Sequence, residues 1–277
     1  MKRFILGVGA QKAGTTWLHD YLVSRNNVDM GFIKEYHIFD TMTLEECAGF
    51  RRKLDASIIR AAEQNYEQWR ENPRVLRLEF LEYPEKYFDY FAKLLDQDGI
   101  NYTGDITPSY SGLRQETLEY IRDEFAKRGI EVLPIFLMRD PVHRLRSSMK
   151  MRFRKMSKNA SARQEIAAMR KRCGEKGDRI RSNYRGTVEN LDAVFGHKVY
   201  YGFYESLFCN ESVFAICDFL DLERQPGVYN IRKNASPSEN VLSKKNMMSF
   251  VKYYQEQYDF CRERFGAFKV DAFWQNY

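Results

Sequence analysis

A short glycine-rich turn near the amino terminus constrains the fold of this chain more than any other segment. The turn reads GAQKAGTTW from Gly9 to Trp17, after an apolar run at residues 4–9 and at the start of a helical pattern at residues 13–24. A glycine-rich turn that opens a helix points several backbone N–H groups at one spot, where the helix dipole adds positive potential. The sequence therefore predicts an anion-binding site at this turn.

The lysine of this turn is displaced from the position that a nucleoside-triphosphate loop requires. Gly9 and Gly14 match the glycines of the pattern G-x-x-x-x-G-K-[ST], but Thr15 stands where the lysine belongs, and Lys12 lies inside the loop. The usual lysine reaches the β- and γ-phosphates of a triphosphate bound with magnesium. A lysine earlier in the loop favours a shorter anionic group, although a coincidental glycine turn remains the simpler alternative.

The rest of the chain alternates strand-sized apolar runs with helical patterns. Further strands are predicted at residues 132–138 and 198–203, and helices at residues 43–70, 84–95, 212–220 and 244–265. This alternation predicts an α/β protein with a P-loop-type three-layer fold, in which helices flank a mainly parallel central sheet. Because no repeat and no Pro/Ser-rich linker interrupts the chain, we expect residues 1–277 to form a single domain.

The composition of the 277-residue chain excludes several classes of protein. With 44% hydrophobic and 30% charged residues, it is neither a disordered nor a low-complexity chain. No apolar run approaches the roughly 18 residues of a membrane helix, so no membrane span is expected. Five cysteines without a CxxC pair, and four histidines not spaced with them, predict reduced thiols, a cytoplasmic location and no zinc site.

Positive charge is concentrated in the middle of the chain. Between Arg139 and Arg185 there are 16 Lys or Arg residues against 4 Asp or Glu residues, although the net charge of the whole chain is only +6. A basic block of this kind indicates an anionic ligand nearby. For residues 150–181, a solvated helical face is an equally good interpretation.

A second phosphate site is predicted where the apolar run at residues 132–138 ends in Arg139-Asp140-Pro141. Asp140 can cap a helix, and Pro141 suits its first turn. A phosphate at that helix start would take charge-assisted bonds from Arg139 and a hydroxyl bond from Ser147, two turns further on. Taken alone, the tripeptide is better interpreted as a capped helix, but beside the glycine turn the phosphate site is the stronger interpretation.

These two segments resemble the donor-binding motifs of sulfotransferases that use PAPS (3′-phosphoadenosine-5′-phosphosulfate). The run QKAGTTWL from Gln11 resembles the family's 5′-phosphosulfate loop. The run from Arg139 to Ser147 is similar to its 3′-phosphate motif, R-D-P-x-x-R-x-x-S, with the same spacing. The run YYGFYESL, which begins at Tyr200, resembles a late strand and turn of the same family.

Two further segments resemble the heparan-type carbohydrate sulfotransferases. KEYHIF at residues 34–39 looks like their K-E-x-H-F-F segment, which implies Glu35 as the general base with His37 beside it. GDITPSY at residues 104–110 resembles their E-K-[ST]-P-x-Y segment. Here the chain departs from the pattern, because Asp105 replaces the glutamate and Ile106 replaces a lysine that helps to line the sulfate site.

The resemblance implies a set of site residues and no metal, since a lysine and backbone dipoles would do what magnesium does in kinases. The implied catalytic residues are Lys12, Glu35 and His37. The implied donor-binding residues are Gln11, Lys12, Ala13, Gly14, Thr15, Thr16, Trp17, Arg139, Ser147 and Arg232. For Trp17, stacking near the adenine and packing in the core both remain open, and Tyr184 is a weaker adenine candidate. The basic loop over the 3′-phosphate would come from Arg232-Lys233 or Lys244-Lys245.

The function that the resemblance implies is sulfuryl transfer from PAPS to a hydroxyl or amine, with release of PAP (3′-phosphoadenosine-5′-phosphate). We expect a carbohydrate acceptor, neutral or anionic, no nucleic-acid partner, and a soluble, bacterial-type enzyme. One alternative is a P-loop kinase acting on a nucleotide or small molecule, which would bind ATP with magnesium. The other is a non-enzymatic binding module for acidic polymers, built on the basic stretch.

Overall fold

The computed structural model describes residues 2–64, 72–157, 159–229 and 242–274, and at residues 60–64 it describes the backbone only. Five strands form one sheet in the order β2-β3-β1-β4-β5, and every neighbouring pair is parallel. The strands are β1 (Lys2–Gly9), β2 (Val28–Asp29), β3 (Tyr102–Ile106), β4 (Ile130–Met138) and β5 (Tyr200–Phe203). Because parallel strands all end at the same edge, the turns after β1, β3 and β4 lie side by side.

Helices occupy most of the remaining described chain. They are α1 (Thr15–Val23), α2 (Phe39–Thr43), α3 (Gly49–Gln64), α4 (Pro73–Glu82), α5 (Glu85–Leu94), α6 (Gln115–Ala126), α7 (Pro141–Lys155), α8 (Ala162–Arg172), α9 (Lys176–Ser182), α10 (Tyr184–Phe195), α11 (Asn210–Leu220), α12 (Lys244–Val251), α13 (Gln255–Phe265) and α14 (Ala267–Phe273). Short 3₁₀ turns lie at Glu45–Cys47, Pro108–Gly112 and Tyr204–Ser206.

The two faces of β1 are covered by different helices. Phe4 stacks on Phe125 of α6 at 4.0 Å between ring centroids and meets Phe91 of α5 edge-on at 4.9 Å. Adjacent strand residues point to opposite faces, and Arg3 accordingly donates to the Leu220 carbonyl at the end of α11. The predicted three-layer α/β fold with a parallel central sheet is therefore confirmed.

One predicted helix and one unpredicted strand differ from the sequence expectations. The helix predicted at residues 244–265 is divided between Val251 and Gln255, where buried Tyr254 donates its hydroxyl hydrogen to Asp178 at 2.6 Å. The central strand β3 was not predicted. Its polar residues are buried, and a Cβ at Gly104 would lie 2.4 Å from the Ile5 carbonyl oxygen, so only glycine permits this close approach.

Two other features of the described residues bear on the sequence predictions. Among these residues, no helix is both long and apolar enough to cross a bilayer. All five cysteines are free thiols. The single-domain interpretation and the cytoplasmic location stay predictions.

A buried ion pair joins α7 to α9. Arg144 and Asp178 are 1% and 3% exposed, and the guanidinium also donates to the Ser182 hydroxyl at 2.7 Å. Together with the Tyr254 hydroxyl, these contacts satisfy the Asp178 carboxylate inside the protein. Arg144 therefore serves packing of the helices and does not face the predicted phosphate site.

The variant Asp178→Asn should lower the free energy of unfolding by about 3–5 kcal/mol, because it leaves the buried Arg144 charge without a counter-ion. Urea denaturation of the variant and of wild type would measure the difference. Asp259→Asn is a suitable control, since its ion pair with Arg262 lies at the surface, and little change is expected there. Equal stability of Asp178→Asn and Asp259→Asn would contradict this account of the helix packing.

Candidate active site

The glycine turn follows β1 and leads directly into α1. Gly14 is the N-cap residue of α1, with φ of +85°, and a Cβ there would lie 2.5 Å from the Leu207 side chain. At Gly9, φ is +142°, and a Cβ would lie 2.8 Å from the Pro108 carbonyl oxygen. Both positions therefore require glycine for backbone conformation and for space.

The amino terminus of α1 is open. The first N–H groups of any α-helix have no acceptor within the helix, and the N-cap residue of α1, Gly14, has no side chain to cap them. Within the turn itself, the Ala13 N–H donates to the Ala10 carbonyl at 3.2 Å. The open N–H groups and the helix dipole make this end of α1 a site for an anion. Gln11, Lys12, Ala13, Gly14, Thr15 and Thr16 all lie at this site, with Ala13 and Thr15 buried and the others half-buried.

Lys12 lies inside the turn, in a strongly positive environment. Its Nζ is 3.9 Å from the Met151 sulfur of α7. Burial and the charges of nearby cations lower the pKa of Lys12 to about 8. These cations are Arg154, Arg139, Lys155 and Lys34. A bound anion would relieve this repulsion, which is the electrostatic reason to place a negatively charged ligand here.

Arg139 connects the carboxyl end of β4 to the glycine turn. Its Nη1 donates to the Lys12 carbonyl at 2.9 Å, and its guanidinium lies 4.1 Å from the centre of the Tyr204 ring. Its Nε is buried and has no hydrogen-bond partner among the described residues. Ser147 lies two turns into α7 and is half-buried.

Asp140 shapes the start of α7. Its carboxylate caps the helix by accepting from the His143 N–H at 2.8 Å and also accepts from the Tyr258 hydroxyl at 2.9 Å. The Asp140 N–H in turn donates to Glu205. The Arg-Asp-Pro segment thus forms the predicted capped helix, with Arg139 turned toward the anion site.

The two aromatic candidates for adenine contact are packed in the protein. Trp17 is 9% exposed, stacks on Tyr21 at 5.5 Å between ring centroids, and donates from Nε1 to the Val228 carbonyl at 2.9 Å. Tyr184 is 1% exposed and donates its hydroxyl hydrogen to the Arg139 carbonyl at 2.6 Å. Arg232 and Lys233 lie outside the described residues, and Lys244 begins α12.

The KEYHIF segment at residues 34–39, which is predicted to contain the general base, lies against the anion site. Lys34 Nζ donates to Glu35 Oε1 at 2.6 Å and to Thr15 Oγ1, at the first residue of α1, at 3.3 Å. The Ile106 N–H donates to the Lys34 carbonyl at 3.1 Å, which fixes the segment to the end of β3. Lys34 therefore links Glu35 to the first residue of α1, beside the turn that contains Lys12.

His37 belongs to a chain of polar contacts that runs inward from Glu35. Its Nε2 lies 3.4 Å from Glu35 Oε2, and its Nδ1 lies 2.7 Å from Asp40 Oδ2. Asp40 is fully buried and also accepts from the Ser109 hydroxyl. Phe50 of α3 stacks on the imidazole at 3.9 Å between ring centroids.

These contacts shift the pKa values of both Glu35 and His37. Burial alone would raise the pKa of Glu35, but hydrogen bonds from His37 and Lys34 and the charge of Lys34 lower it to about 2. Burial opposes protonation of His37, yet hydrogen bonds to Asp40 and Glu35 raise its pKa to about 9. At neutral pH, Glu35 is therefore ionised and held by two cations.

A buried carboxylate holds this segment in place. Asp105 accepts from the Tyr110 hydroxyl at 2.8 Å, the Tyr87 hydroxyl at 3.0 Å and the Tyr36 N–H at 3.4 Å. Burial raises the pKa of Asp105 to about 6, although its hydrogen bonds oppose this rise. Asp105 is thus an internal anchor, and the neighbouring side chain of Ile106 is buried with it.

Sequence reasoning missed Lys34, Asp40 and Ser109 as parts of the site. Lys34 and Ser109 lie within the segments that the resemblance quoted, and Asp40 follows His37 by three residues, so proximity in sequence was the available signal. Among the described residues, no group of three or more His, Cys, Asp or Glu side chains could hold a metal ion.

The basic stretch is only partly compensated by acidic partners. Arg144 pairs with Asp178, and Arg146 pairs with Glu165 at 3.2 Å. Other basic residues of α7 and α8 are exposed: Arg152, Arg154, Lys155, Arg163, Arg170 and Lys171. Arg154 and Lys155 belong to the cations that affect Lys12, so this surface continues from the anion site.

The chain is similar to known proteins in structure but not detectably in sequence. No protein-family model and no curated protein matches the sequence. The structure is similar to the crystal structure of a sulfotransferase from Alicyclobacillus acidocaldarius, with a TM-score of 0.58 and 14% identity over 100% of this chain and 97% of that chain. At this identity the likeness defines the fold alone. The chain therefore has a sulfotransferase-like α/β fold.

The variant Asp40→Asn should lower the pKa of His37 from about 9 toward its ordinary value of 6.5, because it removes the charge that favours the imidazolium. NMR titration of the imidazole would measure this change. A raised pKa stabilises the fold below pH 6.5, and this contribution is lost as the pH rises through 9. The loss of stability in Asp40→Asn should therefore be larger at pH 6 than at pH 9.5. Equal losses at both values would contradict the assigned charge state.

Proposed function

We propose that this protein transfers the sulfuryl group of PAPS to a hydroxyl or amine of an acceptor and releases PAP. One observation favours this most. Lys12 lies inside an open, glycine-lined helix terminus, and Lys34 links this terminus to the ionised Glu35. An anionic donor and a proton acceptor would thus lie on either side of the Lys34 ammonium. The similar solved structure is that of a sulfotransferase, which supports the same conclusion.

The residues present fit a donor with two separate anionic groups. The N–H groups at the start of α1, together with Lys12, suit the 5′-phosphosulfate. The buried Nε of Arg139 has no protein partner among the described residues, and with the Ser147 hydroxyl it suits the 3′-phosphate. Both groups would lie at the carboxyl edge of the sheet, where open α/β folds bind their ligands.

PAPS as co-substrate would supply an activated sulfuryl group, so the chain's own residues need only position it and move one proton. Glu35 would take the proton of the acceptor hydroxyl as the acceptor oxygen bonds to sulfur. The bond from sulfur to the bridging oxygen breaks in line with this attack. Lys12 and the N–H groups around Gly14 would stabilise the negative charge that collects on the departing phosphate.

The acceptor is proposed to be a carbohydrate, on the strength of the KEYHIF segment. The departures at Asp105 and Ile106 change an internal anchor and a buried side chain, not the face that Glu35 presents. The exposed cations of α7 and α8 favour an acceptor that carries negative charge. Binding of a nucleic acid or of magnesium is not part of this proposal.

Thermal unfolding with PAP tests the donor site without knowledge of the acceptor. At 100 times its dissociation constant, a ligand adds about 2.7 kcal/mol to the free energy of unfolding, which should raise Tm by roughly 5–10 °C in a chain of this size. ATP with magnesium should produce no comparable shift. A shift with Mg-ATP alone would instead support a kinase, and no shift with either ligand would favour a binding module for acidic polymers.

The variant Lys12→Ala should lose most of the PAP-dependent shift in the same experiment, because it removes the cation inside the turn. Lys198→Ala is the matched control. Lys198 precedes β5 and so lies at the amino ends of the parallel strands, away from the turn, where it pairs with Glu131. The Tm shift that PAP causes in Lys198→Ala should therefore equal that of wild type. A full PAP shift in Lys12→Ala would remove Lys12 from the donor site.

A further inference from the structure

Lys34 lies between the anion site at the start of α1 and the carboxylate of Glu35. Its side chain is 16% exposed, and its ammonium donates to Glu35 on one side and to the Thr15 hydroxyl on the other. Its main chain is fixed at the end of β3 by the bond from the Ile106 N–H. Small movements of the side chain alone can therefore shift the ammonium between the carboxylate and the start of α1.

The charges around Lys34 make this position sensitive to a bound anion. Glu35 attracts the ammonium, whereas Lys12 lies close enough for the charge of Lys34 to lower its pKa. The pKa of His19 is lowered by burial and, with a smaller effect, by Lys34. His37 faces Glu35 from the far side. An anion at the start of α1 would balance the charge of Lys12 and offer Lys34 a charged acceptor besides Glu35.

We propose that Lys34 couples donor binding to the activation of Glu35. When the anionic donor binds at the start of α1, its charge draws the Lys34 ammonium away from Glu35 Oε1. The carboxylate oxygen that Lys34 leaves is then free to accept the proton of the acceptor hydroxyl. This inference rests on the proposed sulfuryl transfer. It adds that binding of the donor regulates the basicity of Glu35 at the same site.

The state of Glu35 without a donor explains why such coupling matters. A carboxylate held by Lys34 and His37, with a pKa of about 2, is a weak proton acceptor at neutral pH. Loss of the Lys34 contact raises this pKa and makes Glu35 a stronger base. Removal of the acceptor proton would then be favoured only while the donor is bound, with His37 still orienting the carboxylate.

The burial of Ile106 leaves Lys34 as the lysine that this part of the chain places near the turn. The Ile106 side chain is fully buried against Gly7 of β1, so residue 106 presents no cation to the site from the end of β3. Lys34, whose carbonyl accepts from the Ile106 N–H, is the lysine that this part of the chain places beside the turn. In the proposed reaction it would therefore also contact the sulfuryl group.

A double-mutant cycle on PAP binding tests the coupling without an acceptor. Glu35→Gln should tighten PAP binding by roughly threefold or more, because the ammonium is then free to contact the anion. In a Lys34→Met background, most of this gain should disappear. Isothermal titration calorimetry of wild type, the two single variants and the double variant gives all four dissociation constants.

A nearby lysine provides the matched control. Lys53 is exposed on α3 and lies near Phe50 without contacting Glu35. In a Lys53→Met background, Glu35→Gln should tighten PAP binding as much as in wild type. If the gain from Glu35→Gln is absent, or persists in full with Lys34→Met, the coupling is wrong.

A titration without nucleotide separates this inference from the proposed function. In ¹³C NMR between pH 7 and pH 3, the Glu35 carboxyl should begin to titrate in Lys34→Met while staying ionised in wild type. An identical Glu35 pKa in both proteins would overturn the coupling even if PAP binds. Failure of wild type to bind PAP would instead overturn the donor site, and the coupling with it.

Discussion

The open amino terminus of α1 is the feature on which the rest of the site depends. The first N–H groups of a helix have no acceptor within the helix, and the N-cap residue Gly14 supplies no side-chain cap. The turn before the helix has room for only hydrogen at Gly9 and Gly14. The second motif is tied to this turn through the bond from Arg139 to the Lys12 carbonyl. Two segments far apart in sequence thus form one positively charged site at the carboxyl edge of the sheet.

Two buried carboxylates, Asp105 and Asp40, hold the segment that contains Glu35 and His37 in place. Asp105 accepts directly from the backbone N–H of Tyr36 and also from the hydroxyls of Thr107 and Tyr110. Asp40 fixes the imidazole of His37. Buried polar groups that are fully hydrogen-bonded specify one geometry, because any other arrangement leaves them unpaired. Glu35 is therefore presented to the anion site by a fully bonded support, and the Lys34 side chain lies between them.

Local patterns predicted the parts of this structure that depend on neighbouring residues. The strand at residues 4–9, the glycine turn and the capped helix after Arg139 follow from apolar runs, glycine spacing and the Asp-Pro pair. Long-range contacts decided the rest. The polar strand β3 lies inside the sheet, where its buried Asp105 accepts from the hydroxyls of Tyr87 and Tyr110. Arg144 is paired with Asp178, 34 residues further along the chain, and sequence spacing does not reveal this partner. For Trp17, which packs on Tyr21, the sequence left core packing and adenine stacking both open.

The central claim is that the turn between β1 and α1 holds the phosphosulfate end of a PAPS donor. A crystal structure of the wild-type protein with PAP tests this most directly. The account predicts the 5′-phosphate within hydrogen-bond distance of the N–H groups of residues 13–16 and of Lys12, with the 3′-phosphate at Arg139 and Ser147. A nucleotide bound elsewhere, or with its 3′-phosphate in the turn, would contradict the account.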